Sequence, residues 1–319
     1  MDPMVIIPCA VAGLAAAGAA GSFIGASTLF NKVIPRQDKV MVDISEMADM
    51  DKWEEYKVII HANKDWLMQR SSEHITIKAR GGITLHSDYF TADSDADTIL
   101  IAFHGYTSCG MSDCSSISSY FLKKGIDALI VDNRAHGKSE GKYYGFGILD
   151  RFDCLSWIKY VNERFGGKKN IILFGVSMGA ATVLMASGLK EMPDNVKAII
   201  ADCAFTSPYD VFVHILKRDY HLPEFPIMNI TNVMSRKKAG YGFKDYSTLD
   251  AVKSTNIPIL FIHGAEDKFV PTYMSHKNYE ACNSKKKLLI VDNAGHAASY
   301  YENVPLYEKT VDEFLAELN

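Results

Sequence analysis

The sequence predicts an α/β chain, a mostly parallel sheet with helices on both faces, and three observations carry that expectation. Short apolar runs recur at Thr98–His104, Asp127–Asp132, Ile171–Ser177, Val196–Cys203, Pro258–His263 and Lys287–Val291. They are apolar at odd and even positions alike, as strands covered on both faces must be. Helix-sized stretches separate them, which is the alternation of parallel βα units. The third run passes straight into Gly175-Val176-Ser177-Met178-Gly179 and then into a run of good helix formers, so strand, tight turn and helix follow one another there.

Composition sets the outer limits. With 319 residues, 48% hydrophobic and 23% charged, the chain can bury one large core, and one catalytic domain with a short extension fits best. A net charge of −4 with interspersed signs leaves no basic surface for nucleic acid. The six cysteines form no C-x-x-C pair and no His/Cys cluster at metal spacing, so neither a disulfide framework nor a metal is expected, and free thiols suit a reducing compartment.

Taken in order, the chain opens on a segment, Pro3 to Asn31, without a charge. Val5 to Phe30 is predominantly apolar; as a helix rising about 1.5 Å per residue it would cross a hydrocarbon core of roughly 30 Å. Residues 1–37 are therefore expected to be a single-pass anchor, with a cleaved signal peptide and a helix that packs on another protein as the alternatives. Lys32, Arg36 and Lys39 follow it, which by the positive-inside bias puts the catalytic domain on the cytoplasmic side. Gly13, Ala17, Gly21 and Gly25 share one helical face, a spacing that allows self-association through the helix. A connecting helix is expected within 38–70, with Trp53, Tyr56, Ile60, Asn63 and Leu67 on one side. The catalytic domain then occupies 71–319. It begins with a hairpin, in which Ile75 and Ile77 alternate with polar residues, Gly81-Gly82 turns, and Ile83, Leu85 and Tyr89 alternate again. Between Cys203 and Ile257 the rhythm breaks: Pro208–Lys217 and Ile227–Lys238 read as helices of a small cap, 205–245, over the carboxyl ends of the strands. Tyr307–Leu318 reads as an amphipathic closing helix.

The chemistry is expected at the carboxyl ends of the parallel strands. Ser177 stands at a turn that strains its backbone and exposes its hydroxyl, with glycines two before and two after making room. A serine needs a base to take its proton, and the base needs an acid to hold its tautomer. His296, in Asn293-Ala294-Gly295-His296 after the last run, supplies the base, and Asp267, in the loop after His263-Gly264, the acid. Asp202, which closes an earlier run, is the competing carboxylate. Backbone N–H groups of Met178 and, from the loop after the first long run, Tyr106 would form the oxyanion hole. His104, His136 and His263 read as hydrogen-bonded scaffold residues, and His214 and His221 as cap residues.

Together with Asp132-Asn133-Arg134-Ala135-His136-Gly137-Lys138-Ser139-Glu140-Gly141, these motifs resemble the α/β-hydrolase superfamily over about residues 70 to 319. The chain looks most like small bacterial membrane-anchored serine hydrolases related to acylaminoacyl-peptidase-like and feruloyl-esterase-like enzymes. The resemblance implies an α/β-hydrolase fold, Ser177, Asp267 and His296 as triad, Tyr106 and Met178 as oxyanion donors, and no cofactor. Ala135 departs from the glycine usual in that loop. The expected activity is that of a carboxylesterase on small to medium apolar acyl or aryl esters. An amidase or exopeptidase on the same triad, and a catalytically silent membrane-bound binding protein, are the alternatives.

Overall fold

The computed structural model describes residues 20–37 and 50–318. The hairpin is present as β1 (Ser72–Lys78) and β2 (Thr84–Phe90), antiparallel, with Gly81 and Gly82 both at positive φ in the turn. Each apolar run becomes a strand: β3 (Thr98–Phe103), β4 (Asp127–Asp132), β5 (Asn170–Val176), β6 (Val196–Asp202), β7 (Ile259–Gly264) and β8 (Lys286–Val291). The sheet order is β1-β2-β4-β3-β5-β6-β7-β8, with β2 antiparallel to β4 and every later pairing parallel. Along β3, Leu100 and Ala102 join one buried cluster while Ile99, Ile101 and Phe103 join another on the opposite face. That is why the strand reads as an unbroken apolar run rather than an alternating one.

Helices cover both faces. Counting residues 20–33 as α1, the cluster under α2 (Met50–Met68), α3 (Gly110–Asp113) and α4 (Ser115–Lys123) contains Leu67 and Phe121. The opposite cluster takes Trp157 from α5 (Asp150–Phe165) and Val183 from α6 (Met178–Ser187). The chain continues through α7 (Pro208–Tyr220), α8 (Ile227–Lys238), α9 (Thr248–Ser254), α10 (Tyr273–Ala281), α11 (Ser299–Glu302) and α12 (Val304–Ala316), the last packing Val311 and Phe314 under the first face. Three of these starts are capped as the sequence allows: the Ser207, Ser247 and Asn303 side chains accept from the backbone N–H three residues on.

A third apolar cluster joins α1, α7 and α8 to α6 and the loop after β4, and it contains residues that the sequence assigns to the membrane span. Within α1, Ala26, Leu29 and Phe30 are buried beside Phe212 of α7 and Ile227 and Met228 of α8. Thr231 Oγ1 donates to Ala26 O at 3.4 Å, and Arg36 donates to Ser139 O at 2.6 Å and Gly137 O at 2.7 Å. The described part of the expected span, residues 20–30, is thus docked on the domain that carries the sheet; residues 5–19 lie outside the described residues. Among the described residues no helix is long and apolar enough to cross a membrane.

Candidate active site

The turn from β5 to α6 forces Ser177 into φ 54° and ψ −114°, a region that L-residues avoid. Its N–H is held by Asp202 O at 2.8 Å. The two flanking glycines are required by space: a Cβ on Gly175 would lie 2.3 Å from the Gly179 carbonyl carbon, and one on Gly179 would lie 2.1 Å from Phe103 O. A packed crossing of strand and helix therefore holds the strained serine in place.

Two later loops bring the partners in. His296 Nε2 lies 2.9 Å from Ser177 Oγ, and its Nδ1 lies 2.7 Å from Asp267 Oδ2. With a carboxylate on Nδ1, that nitrogen carries the proton and Nε2 is left as the acceptor facing the hydroxyl. Asp267 Oδ1 accepts the backbone N–H of Phe269 at 2.9 Å and Val270 at 2.8 Å. His263 adds what sequence reasoning did not see: its Nε2 lies 3.1 Å from the same Asp267 Oδ2 that His296 uses, and its Nδ1 lies 2.6 Å from Ser275 Oγ. Burial pushes the Asp267 carboxyl upward, but the His296 charge and the hydrogen bonds from both histidines outweigh it and hold the group well below the usual carboxylate range. Asp202 is placed differently. It is buried, accepts from Ser299 Oγ at 3.2 Å, and is pushed up to about 6, chiefly by loss of water. No hydrogen bond joins it to His296 among the described residues, so of the two carboxylates it is Asp267 that meets the imidazole.

The backbone N–H groups of Tyr106 and Met178 have no protein acceptor among the described residues, while the N–H groups on either side of Tyr106 do. Gly105 N–H donates to Asp113 Oδ2 at 2.8 Å, and Thr107 N–H donates to His136 Nε2 at 3.1 Å. His136 is fixed in turn by Arg134 O at 2.8 Å, and Arg134 by a bidentate pair with Asp153 at 2.6 Å. His104 accepts Asn133 N–H at 3.0 Å through Nε2. The scaffold histidines thus lock the loop so that one N–H is left pointing free. In the same motif Ala135 sits at φ 61°, the left-handed conformation that makes glycine usual there.

These groups open into a cavity of about 200 Å³ lined by Ser177, Met178, Tyr106 and Phe146, by Phe205, Val211, Phe212 and Ile215 of the cap side, and by Leu29 and Val33 of α1. Tyr106 Oη donates to Val33 O at 3.0 Å, tying α1 to the loop that carries the free N–H. A larger cavity, about 700 Å³, lies at the opposite edge around Asn170, Val196 and Pro258, at the amino ends of β5 and β6 and just before β7, away from any nucleophile–base pair. Cys203 also approaches the site, its Sγ within 4.8 Å of ligand atoms of Asp267 and His296. Those two already share a hydrogen bond, and burial pushes the Cys203 thiol up and keeps it protonated, so as arranged the three form a hydrogen-bonded pair beside a neutral thiol. Leu29, Val33 and the role of His263 carry no local sequence signal; they exist only through the fold.

A family model described as alpha/beta hydrolase fold matches residues 98–226. The Bacillus subtilis (strain 168) protein YqkD is 32% identical over 233 residues, 72% of this chain and 75% of that one. Among solved structures, the Pyrococcus furiosus esterase Pf2001 superposes with a TM-score of 0.64 at 22% identity, covering 80% of this chain and 95% of that one. Est1E from Butyrivibrio proteoclasticus, solved with ferulic acid bound, gives 0.58 at 18% identity over 76% and 98%. With the sheet order, the strained turn and these relatives in agreement, the chain belongs to the α/β-hydrolase family of hydrolytic enzymes.

Proposed function

We propose that this protein is a serine carboxylesterase acting on esters with small to medium apolar acyl or aryl groups. The observation that carries the reading is the unbroken line from Asp267 through His296 to Ser177 Oγ, ending at an apolar cavity. Ser177 Oγ adds to the ester carbonyl carbon as His296 Nε2 takes its proton. The carbonyl oxygen becomes an oxyanion, held by the free N–H groups of Tyr106 and Met178. His296 passes the proton to the departing alkoxide, the alcohol leaves, and the acyl group stays on Ser177. Water then adds to the acyl carbon, giving its proton to His296, which returns it to Ser177 Oγ as the acid departs.

An amidase or exopeptidase would use the same steps but would need an anchor for a charged terminus. Among the described residues lining the cavity, Asp219 is the one acidic or basic side chain, and Arg218 already pairs with it at 2.5 Å. The lining therefore favours neutral esters. The test is fluorophosphonate labelling with p-nitrophenyl esters of graded chain length and amino-acid amides as substrates. Labelling at Ser177, and loss of turnover by at least about three orders of magnitude in Ser177→Ala with unchanged melting, are expected. A Ser177→Ala protein within about tenfold of the parent refutes the assignment.

A further inference from the structure

Single exposed apolar residues need no explanation, but a cluster does. Here α1 and α8 run side by side in the same direction: a Cβ on Gly25 would lie 3.5 Å from Ile227, Ala26 O accepts from Thr231, and Lys238 lies over the Phe30 ring at 5.0 Å. Their amino ends therefore lie together, and the link from α7 to α8 joins them there. At that end Phe23 is 57% exposed, Ile24 65% and Phe225 73%, with Leu222 and Tyr220 also on the surface. Tyr220 belongs to the cavity lining as well, so the apolar rim reaches the mouth of the active-site cavity. The charges beside the rim cancel locally, Lys217 with Glu224 at 3.5 Å and Arg218 with Asp219 at 2.5 Å.

We propose that this rim is a membrane-docking surface, seated in the hydrocarbon boundary of a lipid bilayer with the cavity mouth turned toward it. The chain itself points to lipid as the occupant. Residues 3–19 carry no charge and are predominantly apolar, and they enter the fold at residue 20, immediately before Phe23 and Ile24. The fifteen positions 5–19 that precede α1 are fewer than the roughly 20 apolar residues that crossing a hydrocarbon core takes. Phe23, Ile24, Leu222 and Phe225 then continue the apolar surface that a bilayer would cover, in the manner of an interfacial helix with aromatic and aliphatic residues on its buried face. With no net charge at the rim, docking is driven by apolar burial and needs no anionic lipid. The inference goes beyond the esterase reading and does not depend on it.

The test uses the full chain with phosphatidylcholine vesicles carrying brominated acyl chains. One set of variants places a tryptophan on the rim, Phe225→Trp and, as an independent second position, Leu222→Trp. Val58→Trp, on the exposed side of α2, serves as control. The expected result is that the chain floats with the vesicles, the emission added at 225 and 222 shifts to the blue and is largely quenched, and that added at 58 is unaffected. Three outcomes overturn the proposal. They are a chain that stays in the aqueous fraction, a floating chain whose rim tryptophans are unquenched because water or residues 5–19 cover them, and equal quenching at all three positions.

Discussion

Under the proposed esterase reading, Leu29 gives the sharpest test of where the acyl group would lie. It is 7% exposed, stands on α1, and lines the cavity of about 200 Å³ together with Val33 four residues later. Leu29→Ala removes three carbons from the wall, and each methylene of substrate moved out of water into the vacated space is worth about 0.8 kcal/mol. An acyl chain longer by three carbons should gain up to about 2.4 kcal/mol, roughly fifty-fold in kcat/KM, while short acyl groups gain nothing. The assay is kcat/KM across p-nitrophenyl esters from acetate to dodecanoate, and the expected change is a shift of the optimum by two to three carbons toward longer chains. Because Leu29 faces a cavity on one side, its loss should cost stability near the lower end of the roughly 2–5 kcal/mol seen for Leu→Ala in closed cores. Melting measured alongside separates the two effects. An unchanged chain-length profile in a folded variant would refute α1 as the wall of the acyl site.

The other expectations concern the proposed triad and the carboxylates around it. Asp267→Asn should lower kcat by about four orders of magnitude with little change in melting, because the imidazole loses the partner that sets its tautomer; Asp202→Asn should keep most of the turnover, and the reverse pattern in a kinetic and thermal comparison would reassign the acid. His263→Leu removes one donor from Asp267 Oδ2 and leaves that carboxylate a stronger acceptor toward His296, so the acidic limb of the kcat/KM profile should move to higher pH, with His263→Gln restoring it; a loss of rate without movement of the limb would make His263 merely structural. Asp202, pushed up to about 6 by burial, holds its proton more tightly folded than unfolded, so its contribution is complete below about pH 4 and is lost as pH rises through 6. Two units correspond to about 3 kcal/mol, and thermal melting at pH 5, 6 and 7 should fall less steeply in Asp202→Asn than in the parent. Asp267 acts in the opposite sense and below that window, since its lowered value is lost as a source of stability only when pH falls through the acid range.

The sequence by itself determined the sheet and the order in which the candidate site residues follow its strands. Strands covered on both faces must be apolar throughout, so every run from Thr98 to Val291 could be read, and a serine between glycines at a strand-to-helix turn leaves few alternatives. Ser177, Asp267 and His296 were legible for the same reason: each follows a strand whose end is marked by polarity, and parallel strands bring their carboxyl ends to one edge. The choice of Asp267 over Asp202 rested on loop position alone until the geometry placed the former 2.7 Å from His296 Nδ1. Only the tertiary structure decided what α1 is for. A helix of alanine, glycine and apolar residues is suited alike to lipid and to a protein groove, because both bury its surface, and composition cannot tell which solvent it meets. Packing against α8 decided it for residues 20–33, and made Leu29 and Val33 walls of a cavity whose other residues lie more than seventy positions away in the chain. His263 is the same lesson at the scale of one hydrogen bond. Its place beside the Asp267 carboxylate follows from how β7 turns into its loop, a property of the fold that no single residue carries.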